Sequence, residues 1–392
     1  MLESVLIAAS KSPAFADDQD GGSILIRQLV RHAPAWANAV DLMLFRDADP
    51  AMVVPAGIRN MGFLRTGTMH EDKFAARLDG WQPFVDHLNT VGECYELIVI
   101  THVSNAFGLW NVRESVRRRI LLYPMFTGLS YRLAGEWVPD AYLDMEQRAL
   151  AACPRILTPS TTEKSQLVEG YRVDAKRIEV IPRGIDHTVF AGRHRTLAKQ
   201  KSINLICIGA IRPQKNTTEA IRLVSELRRR NVDARLHLAG ALSSPAYVAE
   251  CRDLAAQLHV VAQVHFHSVL TQRALVALMD QCDLAVSVSR WETFGRGIFE
   301  GLTMGLPTLV FEQLACVWEY VTRGTGILST AGNAAAMADT LAHVVSSPAL
   351  YSELSRQALD ASATLEESEI MPHVHHAWSR AGMRTTMEVA LP

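Results

Sequence analysis

At 392 residues, with 48% hydrophobic and 20% charged side chains, the chain is long for one core and sufficient for two globular domains of about 190 residues each. A formal net charge of −2 excludes a global pull toward nucleic acid, so any anion site must be local. Six scattered cysteines (Cys94, Cys153, Cys207, Cys251, Cys282 and Cys316) form no C-x-x-C pair or Cys/His cluster, which argues against a disulfide framework or zinc site.

The N-terminus carries Glu3, lacks a basic region and has too short an apolar run for a signal peptide. No stretch approaches the roughly 18 apolar residues of a membrane span, so a cytoplasmic protein is expected. No short repeat or low-complexity tract interrupts the chain.

Ser4 to Ala9 predicts a first strand, and Gly21-Gly22 opens a helix through Leu25, Leu29 and Val30. Two glycines let a backbone approach a phosphate or sugar closely. The acidic Asp17-Asp18-Gln-Asp20 precedes them. A second strand over Val40 to Phe45 ends in Asp47-Ala-Asp49-Pro50, a D-x-D pattern that reads as an exposed turn more readily than as a metal site. The segment from Ala51 to Gly92 lacks periodicity and predicts loops and short helices.

Leu97 to Ile100 is a buried strand that delivers Thr101-His102 to its carboxyl end, where doubly wound sheets place ligands. Arg113, Arg117, Arg118 and Arg119 form a basic helix face before a strand at Ile120 to Tyr123. The face reads as solvated, with peripheral contact to acidic lipid as the alternative. Further strands are expected at Ile156 to Ser160 and Ile178 to Ile181, and the polar stretch His187 to Ser202 reads as a linker.

The second half repeats the alternation. A strand over Ile203 to Ile208 leads through Gly209-Ala210-Ile211 to Arg212 and Lys215 before a helix. Two cations at a strand's carboxyl end can neutralise a diphosphate and absorb its growing charge as a sugar departs. Leu236 to Gly240 and Val264 to Ser268 are further strands. From Leu284 to Val310 two β-branched runs flank Glu292-Thr293-Phe294-Gly295-Arg296-Gly297 and a helix bearing Glu300. A carboxylate accepts two coplanar hydrogen bonds, which suits vicinal sugar hydroxyls. Taken alone, the spacing also fits a βα turn with solvated glutamates.

The run Glu292-x-Phe294-Gly295, Glu300, Gly305-x-Pro307 resembles the Glu-x7-Glu signature of retaining nucleotide-sugar glycosyltransferases of the GT-B fold, family 4. Ile181-Pro182-Arg183-Gly184-Ile185-Asp186 resembles that family's interdomain block, with Arg183 in place of the usual asparagine. The resemblance implies an α/β chain of two Rossmann-like doubly wound domains facing each other across a cleft. Expected bounds are 1–186 for the acceptor side, 187–365 for the donor side, and 366–392 for a helix returning to the first domain.

It also implies transfer of a hexose, with configuration retained, from a nucleoside diphosphate sugar to a hydroxyl acceptor such as an aminocyclitol or a glycan. No cofactor and no metal are expected. Glu300 is expected on the ribose and Arg212 and Lys215 on the phosphates. Glu292, Thr293, Phe294 and Gly295 would hold sugar hydroxyls, His102, Gly21 and Gly22 would face the donor, and Val269 would lie by the nucleobase. The family's arginine directly after the glycine is absent, since Ala210 stands there and leaves Arg212 to replace it. A non-catalytic nucleotide-sugar binder and a membrane-peripheral transferase remain as alternatives.

Overall fold

The computed structural model describes residues 1–10, 21–47, 52–64, 73–133, 135–197, 202–322 and 324–389. The acidic run at 17–20 and Asp49 of the D-x-D pattern lie outside them. The described chain divides into two compact units: Gly21–Pro182 with the N-terminal strand and the segment from Ile370, and Arg183–Glu369.

In the first unit, β1 (Leu2–Ala9), α1 (Gly21–His32), β2 (Ala37–Leu44), β3 (Asn60–Phe63), α2 (Lys73–Asp79), α3 (Gln82–Val91) and β4 (Leu97–Ile100) are followed by α4 (Glu114–Arg117), β5 (Ile120–Leu122), α5 (Gly128–Leu133), α6 (Asp140–Ala152), β6 (Arg155–Thr158), α7 (Thr161–Tyr171) and β7 (Ile178–Val180). The seven strands form one parallel sheet in the order β3-β2-β1-β4-β5-β6-β7. All four residues of Leu97–Ile100 are buried, as expected of an inner strand covered on both faces.

Strand β3 was not expected. It is a four-residue edge strand, Asn60-Met61-Gly62-Phe63, too short and too exposed to show an apolar run. Polar anchoring holds it instead. Asp41 of β2 accepts from Arg59 Nη2 at 2.7 Å, Asn60 Nδ2 at 3.1 Å and Tyr95 OH at 2.9 Å.

The second unit runs β8 (Ser202–Ile208), α8 (Thr217–Arg229), β9 (Asp233–Ala239), α9 (Pro245–Gln257), β10 (Val264–His267), α10 (Gln272–Asp280), β11 (Leu284–Ser287), α11 (Arg296–Thr303), β12 (Thr308–Phe311), β13 (Ile327–Thr330), α12 (Ala334–Ser346) and α13 (Pro348–Ser362). Its six parallel strands are ordered β10-β9-β8-β11-β12-β13. One core joins Leu205, Leu236, Val286 and Leu309 of the sheet to Ile221 and Val224 of α8 and Met337 and Leu341 of α12.

The stretch read as a linker is anchored where Arg195 is buried. Arg195 donates from its backbone to Ser355 Oγ at 2.9 Å, from Nε to Met304 O at 2.9 Å and from Nη1 to Cys282 O at 3.0 Å. At Arg195 the polarity reflects a buried guanidinium that ties two carbonyl-bearing turns together.

The last helix, α14 (Glu367–Val389), joins the first unit from Ile370 on. Trp378 is fully buried with its ring edge-on to Trp36 at 5.1 Å, and Arg380 pairs with Glu179 at 2.5 Å. Among the described residues, no helix is long and apolar enough to cross a membrane.

Candidate active site

Doubly wound sheets bind ligands where the strand order reverses, outside the carboxyl ends of the strands. In the second unit the reversal lies between β8 and β11, and the loops leaving these two strands carry the residues singled out in the sequence. After β8, Arg212 caps a single 3-10 turn, Pro213–Lys215, in which proline pre-sets the first dihedral angle. After β11 comes Ser289 to Gly295. The two loops are stitched together, with Arg290 N donating to Gln214 O at 2.9 Å and Gln214 Nε2 to Trp291 O at 3.0 Å.

This stitching brings Lys215 Nζ to 2.5 Å from Glu292 Oε1, which also accepts from Ser289 Oγ at 2.7 Å. The side chains of Lys215 and Glu292 are only 19% and 11% exposed. Lys215, Ser287, Glu292, Gly295 and Gly297 share the lining of one small cleft.

Helix α11 opens at Gly295, whose φ of +87° a side chain would strain. Gly297 lies against β8, where an added Cβ would meet Ile208 O at 3.0 Å. These glycines therefore serve close packing of helix on strand as well as backbone access. Phe294 is 2% exposed, its ring 4.6 Å from Phe299 and 5.6 Å from Tyr320, so only its backbone can meet a ligand. Thr293 precedes it, half-buried.

Glu300, four residues into α11, is 3% exposed. Burial raises its pKa, while the Arg296 guanidinium and, more weakly, Lys215 act against that rise. Arg296 Nε donates to Glu300 Oε1 at 2.8 Å, and Arg296 Nη1 donates to Gly184 O at 3.0 Å. Arg296 is the residue that sequence reading missed. Its i,i+4 spacing to Glu300 was the available signal, because that spacing puts both on one helix face. Val269, in the turn after β10, is exposed.

In the first unit the order reverses between β1 and β4. Ser10 follows β1 and His102 follows β4, while Gly21 and Gly22 form the first turn of α1. His102 is 3% exposed, and its Nδ1 accepts from Ser104 N at 3.1 Å with Ser104 Oγ at 2.7 Å. Accepting at Nδ1 makes Nε2 the protonated nitrogen of the neutral ring, so His102 presents a donor there and not a base. The described residues thus assemble Lys215, Glu292, Gly295 and Glu300 in the second unit.

Family models for glycosyl transferases group 1 and for glycosyltransferase family 4 match residues 191–360 and 20–189. A D-inositol 3-phosphate glycosyltransferase of Stackebrandtia nassauensis is 26% identical over 248 residues, 59% of this chain and 55% of that protein. An MMP alpha-(1->4)-mannosyltransferase of Mycolicibacterium hassiacum is 25% identical over 42% of this chain and 39% of its own. The chain spans about half the length of the curated relatives it matches.

Among solved structures, a sucrose-phosphate synthase from Thermosynechococcus elongatus superposes with a TM-score of 0.78 at 17% identity, over 96% of this chain and 98% of that one. HepE of Anabaena in complex with UDP and glucose superposes at 0.73 and 15% identity, over 97% and 100%. With both halves matched by the family models and the whole fold matched by these structures, the chain belongs to the GT-B glycosyltransferases of family 4.

Proposed function

We propose that the protein moves a hexose from a nucleoside diphosphate sugar to a hydroxyl of an acceptor, with retention at the anomeric carbon. The observation that carries this reading is the Lys215–Glu292 pair at the β8/β11 switch point, with Glu300 buried close by. Structural neighbours bound to UDP and to UDP-glucose support a donor of this class, as do relatives named as transferases.

In this reading Glu300 accepts hydrogen bonds from the ribose hydroxyls. Lys215 and Arg212 meet the diphosphate. As the phosphate claims the ammonium of Lys215, Glu292 is released toward hydroxyls of the sugar, joined by the backbone at Thr293, Phe294 and Gly295. The C1–O bond to the diphosphate breaks and a bond from C1 to the acceptor oxygen forms on the same face. The acceptor proton passes to the departing phosphate oxygen. Preorganised cations that stabilise the leaving group do so without reorganising at the moment of reaction. In the first unit, His102 offers Nε2–H as a donor to a hydroxyl.

The test is a panel of UDP-, GDP-, ADP- and dTDP-sugars, ranked by thermal shift and then assayed for transfer, with product configuration read by NMR. A donor at about 100 times its dissociation constant adds about 2.7 kcal/mol of stability. Expected are one preferred donor, a product of unchanged anomeric configuration, and turnover that survives EDTA. Inverted product, or activity lost in EDTA and restored by manganese, would overturn the reading. The alanine at position 210 motivates one rival, a binder that does not turn over. Donor binding with neither hydrolysis nor transfer would establish it.

A further inference from the structure

We infer that the first unit takes an acceptor carrying an anionic group, a phosphate or a carboxylate, and that Arg77 selects it. The inference rests on the glycosyltransferase reading and names the acceptor class for it.

Arg77 lies on α2 beside the carboxyl ends of β4 and β5. Its guanidinium stands 5.6 Å from the centre of the Phe126 ring, and Phe126 in turn meets the His102 ring edge-on at 4.7 Å. Arg77 Nη1 reaches Tyr142 OH at 3.5 Å, a long contact that satisfies little of a five-donor group. Among the described residues Arg77 forms no ion pair, although it is only half-buried. Three arginines of the basic run at 113–119 contrast with it. Arg113 pairs with Glu93 at 3.2 Å, Arg118 pairs with Glu114 at 2.6 Å, and Arg119 donates to the carbonyl of Tyr95 at 2.7 Å.

Glu146, a carboxylate of the first unit that feels the Arg77 charge, forms no ion pair with it. Glu146 is fully buried, accepts from Tyr171 OH, and receives Gly128 N at both oxygens, at 3.0 and 2.8 Å. Burial pushes its carboxyl up to about 8, against the opposing pull of the Tyr171 and Gly128 hydrogen bonds and of the Arg77 charge. The exposed acid Asp140 of the first unit is likewise paired elsewhere. Asp140 is tied to Arg132 at 2.7 Å and its side chain is 86% exposed.

A second donor lies at the same end of the sheet. Asn105 is 6% exposed and accepts at Oδ1 from Ser10 Oγ at 2.7 Å, which leaves its buried Nδ2 without a partner. A planar guanidinium with donors to spare and an unpartnered buried amide put donors at this end of the sheet, which suits an anion better than a cation.

The test is calorimetric titration of the UDP-saturated protein with D-inositol 3-phosphate, uncharged inositol, glucuronate and inorganic phosphate. It is repeated on Arg77→Gln and Arg77→Lys, with thermal unfolding as the folding check. Expected is binding of the phosphate ester or the glucuronate, which identifies the anion, at least about tenfold tighter than inositol. That preference should be lost in Arg77→Gln and partly kept in Arg77→Lys. Equal binding of charged and uncharged probes overturns the inference. So does no binding of any probe, an unchanged preference in Arg77→Gln, or inorganic phosphate binding as tightly as both organic anions. Failure of UDP itself to bind would count against the donor reading instead.

Discussion

Each unit contains a glutamate shut off from solvent, and the two are handled differently. Glu300 in the second unit faces Arg296 one helical turn earlier, with Lys215 contributing to its field. Glu146 in the first unit meets only a tyrosine hydroxyl and a backbone amide at hydrogen-bonding distance, and holds its proton up to about pH 8. Burial raises both pKa values, but only Glu300 has a guanidinium at hydrogen-bonding distance to act against the rise. An ionised group at a switch point can bind hydroxyls as a pure acceptor. A protonated one inside a helix cluster fixes α5, α6 and α7 to one another.

The comparison can be broken most sharply at Arg296. Removing one partner of a buried pair leaves an uncompensated charge, so Arg296→Ala should cost about 3–5 kcal/mol in urea unfolding. A loss under about 1 kcal/mol would mean that Glu300 is not held by this pair.

Next comes pH. The folded pKa of Glu146 lies above its ordinary value of 4.5, so the native state holds a proton that the unfolded chain releases. Stability referenced to Glu146→Gln should be constant below about pH 4.5, fall as pH rises toward about 8, and level off above that. Parallel stability curves for the two proteins would remove the protonated-carboxyl assignment.

Tyr171→Phe takes away the hydroxyl that Glu146 accepts from and should cost about 1–3 kcal/mol. Because that hydrogen bond lowers the Glu146 pKa, the fall in stability should also extend to higher pH. Chemical denaturation at pH 6 and pH 9 would check both effects. At the small end, Arg118→Ala breaks an exposed pair with Glu114 and should change stability by about 0.5 kcal/mol or less. A larger loss there would show that surface pairing contributes more than the comparison allows.

The parallel-sheet strands were legible because their apolar runs are continuous, as in Leu97–Ile100 and Thr308–Phe311. Edge strand β3 was not, since a half-exposed strand held by Asp41 and Arg59 has no such run. The glutamates and Lys215 were chosen from position together with the family resemblance, and the structure brings Lys215 and Glu292 together. The roles expected of them remain with the donor proposal. Arg296 was passed over because it stands between two glycines and reads as part of a turn. Arg77 was passed over because its segment has no periodicity, and the rings that frame it come from residues about 50 to 65 positions further on. The polar run at 187–202 misled because charge in a sequence does not reveal whether its partners are water or buried carbonyls, as Arg195 illustrates.

The central proposal is that Glu300, held by Arg296, grips the sugar nucleotide in the second unit. Calorimetric titration of UDP into the wild-type protein and Glu300→Gln tests it most directly. A hydrogen bond to a charged group contributes about 1.5–3 kcal/mol, so UDP affinity should fall roughly ten- to a hundredfold in the variant. Equal affinity in the two proteins, with both folded, would contradict the account.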